Sequence, residues 1–124
     1  MAADQGLIDW VSEAMEPVGP VTKRAMMGGA TLYCGGTIFA IVSHDGVLWF
    51  KADAESDAVW DAAGCGRFTY EMGDRIGSMN YRRAPDDVYD DPDELRRWGL
   101  LGLEAERRAP VKKPKAKRAT VKQR

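Results

Sequence analysis

The hydrophobic pattern begins with period 3.6 and then switches. Leu7, Ile8, Val11 and Met15 fall on one face of a helix predicted over residues 4–16, with Asp9, Ser12, Glu13 and Glu16 on the wet side. Asp4 is placed to accept a free backbone N–H of the first turn. Pro17, Gly19 and Pro20 end the helix. Beyond them the chain turns β-branched and aromatic in three runs, residues 31–33, 37–42 and 47–50. Gly35-Gly36 separates the first two runs. His44-Asp45-Gly46 separates the second and third, and Asp-Gly is a strong hairpin signal because glycine accepts the positive φ of the turn. Gly28-Gly29 reads as a bulge or a close backbone approach within the first strand.

A second helix is predicted over 53–63, capped by Asp53 and closed by Gly64. Ala58, Val59 and Ala62 form its packing side, with Trp60 at the margin. Phe68, Tyr70 and Met72 alternate as one face of a strand. A turn at Gly73-Asp74 and a strand over 75–82 complete a second hairpin. Asp91 then caps a third helix with Pro92 at its first position, Asp93-Glu94 at its positive end, and Leu95, Trp98, Leu101 and Ala105 inward. The order is α-β(3)-α-β(2)-α: an α+β fold in two layers with one antiparallel sheet.

Charge divides the chain in two. Net charge is −1 over 124 residues, yet residues 107–124 carry nine cations and no acid: Arg107, Arg108, Lys112, Lys113, Lys115, Lys117, Arg118, Lys122 and Arg124. Residues 1–106 keep nine basic against nineteen acidic side chains, a balance of −10. We therefore expect a globular domain over 1–108 and a disordered basic tail over 109–124, with almost nothing to bury. Such a tail attracts polyanions by counterion release. With about six phosphate contacts, log K would fall against log salt with a slope near −5. It contains no aromatic residue for base stacking, so contact with nucleic acid would be weakly sequence-specific.

Motifs for chemistry are sparse. Each glycine pair leads into a strand rather than a helix, and no Lys-Ser or Lys-Thr follows, unlike a phosphate loop. One histidine and two separated cysteines, Cys34 and Cys65, make a poor zinc set and are read as a turn residue and two buried thiols. Asp86-Asp87 and Asp90-Asp91 suit turn and cap duties. Ser78 lies in Gly77-Ser78-Met79, which is not a nucleophile elbow. The expectation is no catalytic, cofactor or metal site. Lys23-Arg24 and Arg82-Arg83 flank predicted strands, either as solvent-facing edge charges that discourage aggregation or as a small anion or partner patch. With no signal peptide and no apolar run near the roughly 20 residues of a membrane span, the chain reads as cytoplasmic.

Several short segments, in this order and spacing, carry a resemblance. They are Pro20-Val21-Thr22, Arg24-Ala25-Met26-Met27-Gly28-Gly29, Leu32-Tyr33, Gly36-Thr37-Ile38-Phe39-Ala40 and Leu48-Trp49-Phe50-Lys51-Ala52-Asp53. Phe68-Thr69-Tyr70, Met79-Asn80-Tyr81 and Asp91-Pro92-Asp93-Glu94-Leu95 follow. From about Leu7 to Arg108 the chain resembles the N-terminal domain of the TfoX/Sxy family. The resemblance implies a fold similar to secretion-chaperone-like domains and a regulatory role in natural competence, with no catalytic residues to carry over. Two-domain relatives continue into a helical C-terminal domain, where this chain has its basic tail. Met27 stands where relatives tend to have Phe, and Arg82 where an aromatic is common. The function expected is a non-enzymatic regulator or adaptor that binds a protein partner, its tail attracting nucleic acid. The alternative is a pure protein-interaction module with an inert tail. Homodimer formation is left open, and no membrane contact is expected.

Overall fold

The structure, a computed structural model, describes residues 4–26 and 28–109. Helix α1 (Gln5–Met15) starts at Asp4, whose carboxylate accepts from the Leu7 N–H at 3.1 Å. Four strands follow, β1 (Val21–Met26), β2 (Gly29–Cys34), β3 (Thr37–Val42) and β4 (Leu48–Lys51). Helix α2 (Asp57–Ala62), strands β5 (Arg67–Met72) and β6 (Arg75–Arg83), a 3₁₀ turn (Asp86–Tyr89) and helix α3 (Pro92–Arg108) complete the order. All six strands form one antiparallel sheet in the order β1-β2-β3-β4-β6-β5. The fold class expected from sequence holds, and the strand count does not: four strands precede α2.

The additional strand is β1, which pairs with β2 from Val21↔Cys34 to Met26↔Gly29. It is an edge strand, exposed along most of its length, so Val21-Thr22-Lys23-Arg24 shows no alternation to betray it. Gly28-Gly29 is thereby no bulge inside a strand. Gly28, at φ 82°, lies in the turn between β1 and β2. Gly29 opens β2 where a Cβ would lie 2.1 Å from the Val42 carbonyl oxygen, so the close backbone approach is real.

Register assigns the faces. Ala30, Leu32, Ala40, Val42, Leu48 and Phe50 stand opposite one another across β2, β3 and β4 and belong to the core under the helices. Thr31, Ile41 and Trp49 alternate onto the other face. Between the pairs Leu32↔Ala40 and Tyr33↔Ile38, β3 carries one extra residue, Phe39. This bulge lets Phe39 join Ala40 in the core, where it is fully buried.

Helix α3 crosses the core face of the sheet. Gly99 and Gly102 are buried in it: a Cβ on Gly102 would lie 2.6 Å from the Phe39 carbonyl oxygen, and one on Gly99 2.8 Å from Met15 Sδ. Two hydrogen bonds tie α1 to the C-terminal elements, Trp10 Nε1 to the Val88 carbonyl (2.8 Å) and Arg96 Nε to the Ala14 carbonyl (2.9 Å).

Helix α2 is shorter than expected. Asp53 still organises its entry, accepting from the Ser56 N–H at 3.0 Å while Ser56 Oγ accepts from the Asp53 N–H at 3.0 Å, a reciprocal pair of the capping-box kind. Its packing side is also reversed. Ala58, Val59 and Ala62 are exposed, and Trp60 is fully buried, with its ring centroid 5.8 Å from Phe50 and 4.7 Å from Trp98. One large indole fills more of the gap beneath so short a helix than three small side chains would.

Candidate interaction surface

Among the described residues, the helices cover one face of the sheet and leave the other open. Its aromatic residues form a row. Trp49 and Phe68 meet edge to face, with centroids 5.0 Å apart at 81°, and Phe68 and Tyr70 lie 6.3 Å apart. The Arg83 guanidinium, on the strand paired with Trp49, sits 5.9 Å from the indole centroid. Trp49 Nε1 donates to Ser43 Oγ at 3.3 Å, which fixes the ring and satisfies its polar edge. Ser43 Oγ in turn donates to Asp45, and that bond holds the Asp45 carboxyl below its usual range. Met26, Ile41, Trp49, Phe68, Tyr70 and Ile76 line a groove of about 830 Å³, together with polar residues that include His44 and Asp45. Ile76 is 73% exposed. A mostly apolar groove with a few polar side chains in its lining has the character of a macromolecular contact surface.

The four cations read as edge charges or a patch do not come together. Lys23 and Arg24 lie on β1 at one edge of the sheet, and Lys23 Nζ hydrogen-bonds Gln5 of α1. Arg82 and Arg83 lie on β6, with β2, β3 and β4 intervening. Arg82 does not face solvent at all: it is 2% exposed. Its Nη1 donates to Asp61 Oδ1 (2.7 Å) and the Cys65 carbonyl (2.8 Å), its Nη2 to Asp57 Oδ1 (3.0 Å) and its Nε to Asn80 Oδ1 (3.3 Å). Burial pushes the Asp57 carboxyl up, but the hydrogen bonds from Asn80, Arg67 and Arg82 outweigh it and hold it below the usual carboxylate range. Arg82 thus ties α2 to β6 and offers nothing to a partner.

Of the nine terminal cations, Arg107 and Arg108 end α3. Arg107 is exposed beside Tyr33, Gly36 and Thr37. Arg108 grips Asp53 through Nε to Oδ2 (2.7 Å) and Nη2 to Oδ1 (2.9 Å), with Glu55 Oε1 at 3.4 Å. It belongs to the folded body. Lys112, Lys113, Lys115, Lys117, Arg118, Lys122 and Arg124 lie outside the described residues. Among the described residues there is no group of three or more His, Cys, Asp or Glu side chains able to hold a metal ion. No helix among them is long and apolar enough to cross a membrane.

The family model of the TfoX N-terminal domain matches residues 6–106, from the second residue of α1 to near the end of α3. The chain belongs to the TfoX N-terminal domain family. A relative in Aliivibrio fischeri, DNA transformation protein TfoX1, is 33% identical over 67 residues. That match covers 54% of this chain and 32% of the relative, so the shared part is about a third of the relative's length. The open aromatic face is the feature that reading the TfoX-type sequence missed. Its signal was present: Trp49 alternates with Leu48 and Phe50, and Phe68 with Tyr70, while three helices shield only one side of a sheet.

Proposed function

We infer that this protein is a non-enzymatic regulatory or adaptor domain of the TfoX type, and that it grips a protein partner with the open face of its sheet. The observation that carries the reading is the Arg83-Trp49-Phe68-Tyr70 row, held in place yet left uncovered by any helix among the described residues. Rigid aromatic side chains supply contact area at low entropic cost, the property found at binding hot spots. The family's link to competence, and the relative's name as a DNA transformation protein, support a regulatory setting. The cations of residues 107–124 add a long-range, sequence-tolerant attraction to nucleic acid, less Arg108, whose charge Asp53 and Glu55 take up.

Two measurements test this. Affinity co-purification from the native host compares wild type with Trp49→Ser and Tyr70→Ser. The expected result is a partner retained by wild type and lost by both variants; equal retention removes the face from the account. A mobility-shift titration with duplex DNA at low and moderate salt compares the full chain with one lacking residues 109–124. Binding that needs those residues and weakens steeply with salt supports the electrostatic role. Equal binding by both forms, or none, favours a protein-interaction module with an inert tail.

A further inference from the structure

The two edges of the sheet are built differently, and the difference names an occupant for one of them. Edge β1 carries Lys23-Arg24 at its middle. An antiparallel copy of β1 paired symmetrically about that middle would bring cation against cation, which is how an edge repels its own kind. Edge β5 reads Arg67-Phe68-Thr69-Tyr70-Glu71-Met72, and among the described residues only β6 pairs with it. It has no proline and no central lysine. Arg67, Thr69 and Glu71 are exposed.

We propose that β5 pairs with β5 of a second copy of this chain, antiparallel and centred on Thr69, to form a homodimer with one continuous sheet. A two-fold axis perpendicular to the sheet keeps side chains on matching faces only when it passes through a residue pair. Centring on Thr69 sets Arg67 opposite Glu71 twice and Phe68 opposite Tyr70 twice, so both charge pairs and both aromatic pairs are complementary. Centring on Phe68 sets Arg67 against Thr69, and centring on Tyr70 sets Glu71 against Thr69; neither pairs the charges. Arg67 Nη2 already reaches Asp57 Oδ2 at 3.1 Å, yet the side chain is 46% exposed and keeps further donors for the partner's carboxylate. The strand is also stiffened for the task. The Tyr70 ring lies across Gly77, where a Cβ would sit 2.7 Å from Cζ. That packing seats the strand against β6 from Phe68 to Met72, the register shifting between Arg67 and Phe68. The dimer rests on the interaction-module reading and extends it, because it joins the two aromatic rows into one surface twice as long.

Sedimentation velocity on the full chain, from about 10 to 500 µM, tests this, the range suiting an interface at the small end of the scale. Wild type is expected to dimerise reversibly. Glu71→Lys and Arg67→Glu should each weaken the dimer by about tenfold or more, because each turns two attractive pairs into repulsive ones. An equimolar mixture of the two variants should recover the dimer, since one chain then presents a cation at both positions and the other a carboxylate at both. Thr69→Lys, at an exposed position, sets two ammonium groups against each other on the axis and should give monomer while leaving circular dichroism unchanged. That variant keeps the test decisive if Arg67→Glu fails to fold. A monomeric wild type over the whole range overturns the inference, as does a Thr69→Lys or Glu71→Lys chain that dimerises like wild type. A mixture of folded variants that fails to recover overturns the register. A monomeric wild type would leave the partner reading intact, because the co-purification of the face variants decides that separately.

Discussion

Arg82 and Asp57 lie 3.0 Å apart, Nη2 to Oδ1, and through them a helix of six residues is held to the inner strand β6. The two carboxylates on Arg82 are unequal. The Asp57 side chain is 23% exposed, whereas Asp61 is 67% exposed and rehydrates easily if its partner leaves. Removing Arg82 strands the Cys65 carbonyl and leaves Asp57 with Arg67 and Asn80 alone. Arg82→Ala should therefore lower unfolding free energy by about 3 kcal/mol, as expected when one member of a buried pair is lost. Asp61→Ala should cost less than about 1 kcal/mol. Urea melts of both variants check the ranking; equal effects would show that the Asp61 pair, and not the less exposed Asp57 pair, carries the contribution of Arg82.

Asp53 lies early in the connection from β4 to α2 and meets Arg108 at the far end of α3, 55 positions on. The Arg108 hydrogen bonds hold its carboxyl down to about 2, with the Ser56 N–H helping and burial opposing. A folded value below the unfolded one of about 3.9 means the contribution is complete above pH 4 and drains away as pH falls towards 2. Asp53→Asn should flatten the pH dependence of unfolding between about pH 4 and 2 and leave the slope above pH 5 unchanged. An unaltered acid limb in that variant would rule out this clasp as its source.

Tyr81 sets the alkaline limb. Burial first, then the charge of Glu106 and the neighbouring Tyr33, pushes its phenol up to about 12. The unfolded phenol ionises near 10, so the favourable term is present below pH 10 and lost as pH rises towards 12. Absorbance titration should show a tyrosine step well above the range of a free phenol, and that late step should vanish in Tyr81→Phe.

Gly99 and Gly102 face different obstacles although both are buried on α3. Alanine gains helix propensity at each, about 1 kcal/mol. At 102 the new methyl meets the Phe39 carbonyl oxygen, a backbone atom that cannot yield without moving β3. At 99 it meets the Met15 thioether, which can repack. Gly102→Ala should be destabilised by about 1–2 kcal/mol net, and Gly99→Ala should stay within about 1 kcal/mol of wild type. Thermal melts of the two single variants check this, and a reversal of their order would contradict the packing described.

The elements legible in the sequence were those whose signals are local. Asp4 and Asp91 cap helices as read, and Pro92 opens α3. The hairpin at His44-Asp45-Gly46 turns as its glycine requires, with Gly46 at φ 81°. What stayed hidden depends on neighbours far along the chain. β1 lacks alternation because an exposed edge has no inside to record. The helix-period reading of α2 favoured Ala58, Val59 and Ala62 over Trp60, because the burying surface comes from Phe50 and Trp98. Leu103 was overlooked on α3 for the same reason: the bulge at Phe39 and the two glycines decide which stripe of the helix touches the sheet. The burial of Arg82 becomes intelligible only once Asp57 and Asp61, more than twenty residues earlier, are in place.

Cys34 and Cys65 give a probe of local opening. Both are free and buried, and burial raises each thiol above its ordinary value. Only the thiolate attacks a disulfide reagent, so both should react slowly in native buffer and fully in denaturant, a difference of about a hundredfold or more. The two thiols should then part company in Arg82→Ala. Cys65 sits in the turn whose carbonyl Arg82 Nη1 holds at 2.8 Å, whereas Cys34 Sγ contacts the Gly19 carbonyl at 3.5 Å, remote from that tie. Loss of the guanidinium frees the turn between α2 and β5 without touching β2. Mass spectrometry of labelled peptides should show Cys65 accelerated and Cys34 unchanged relative to the global opening rate. Equal acceleration of both would mean that Arg82 supports the fold as a whole rather than this one corner.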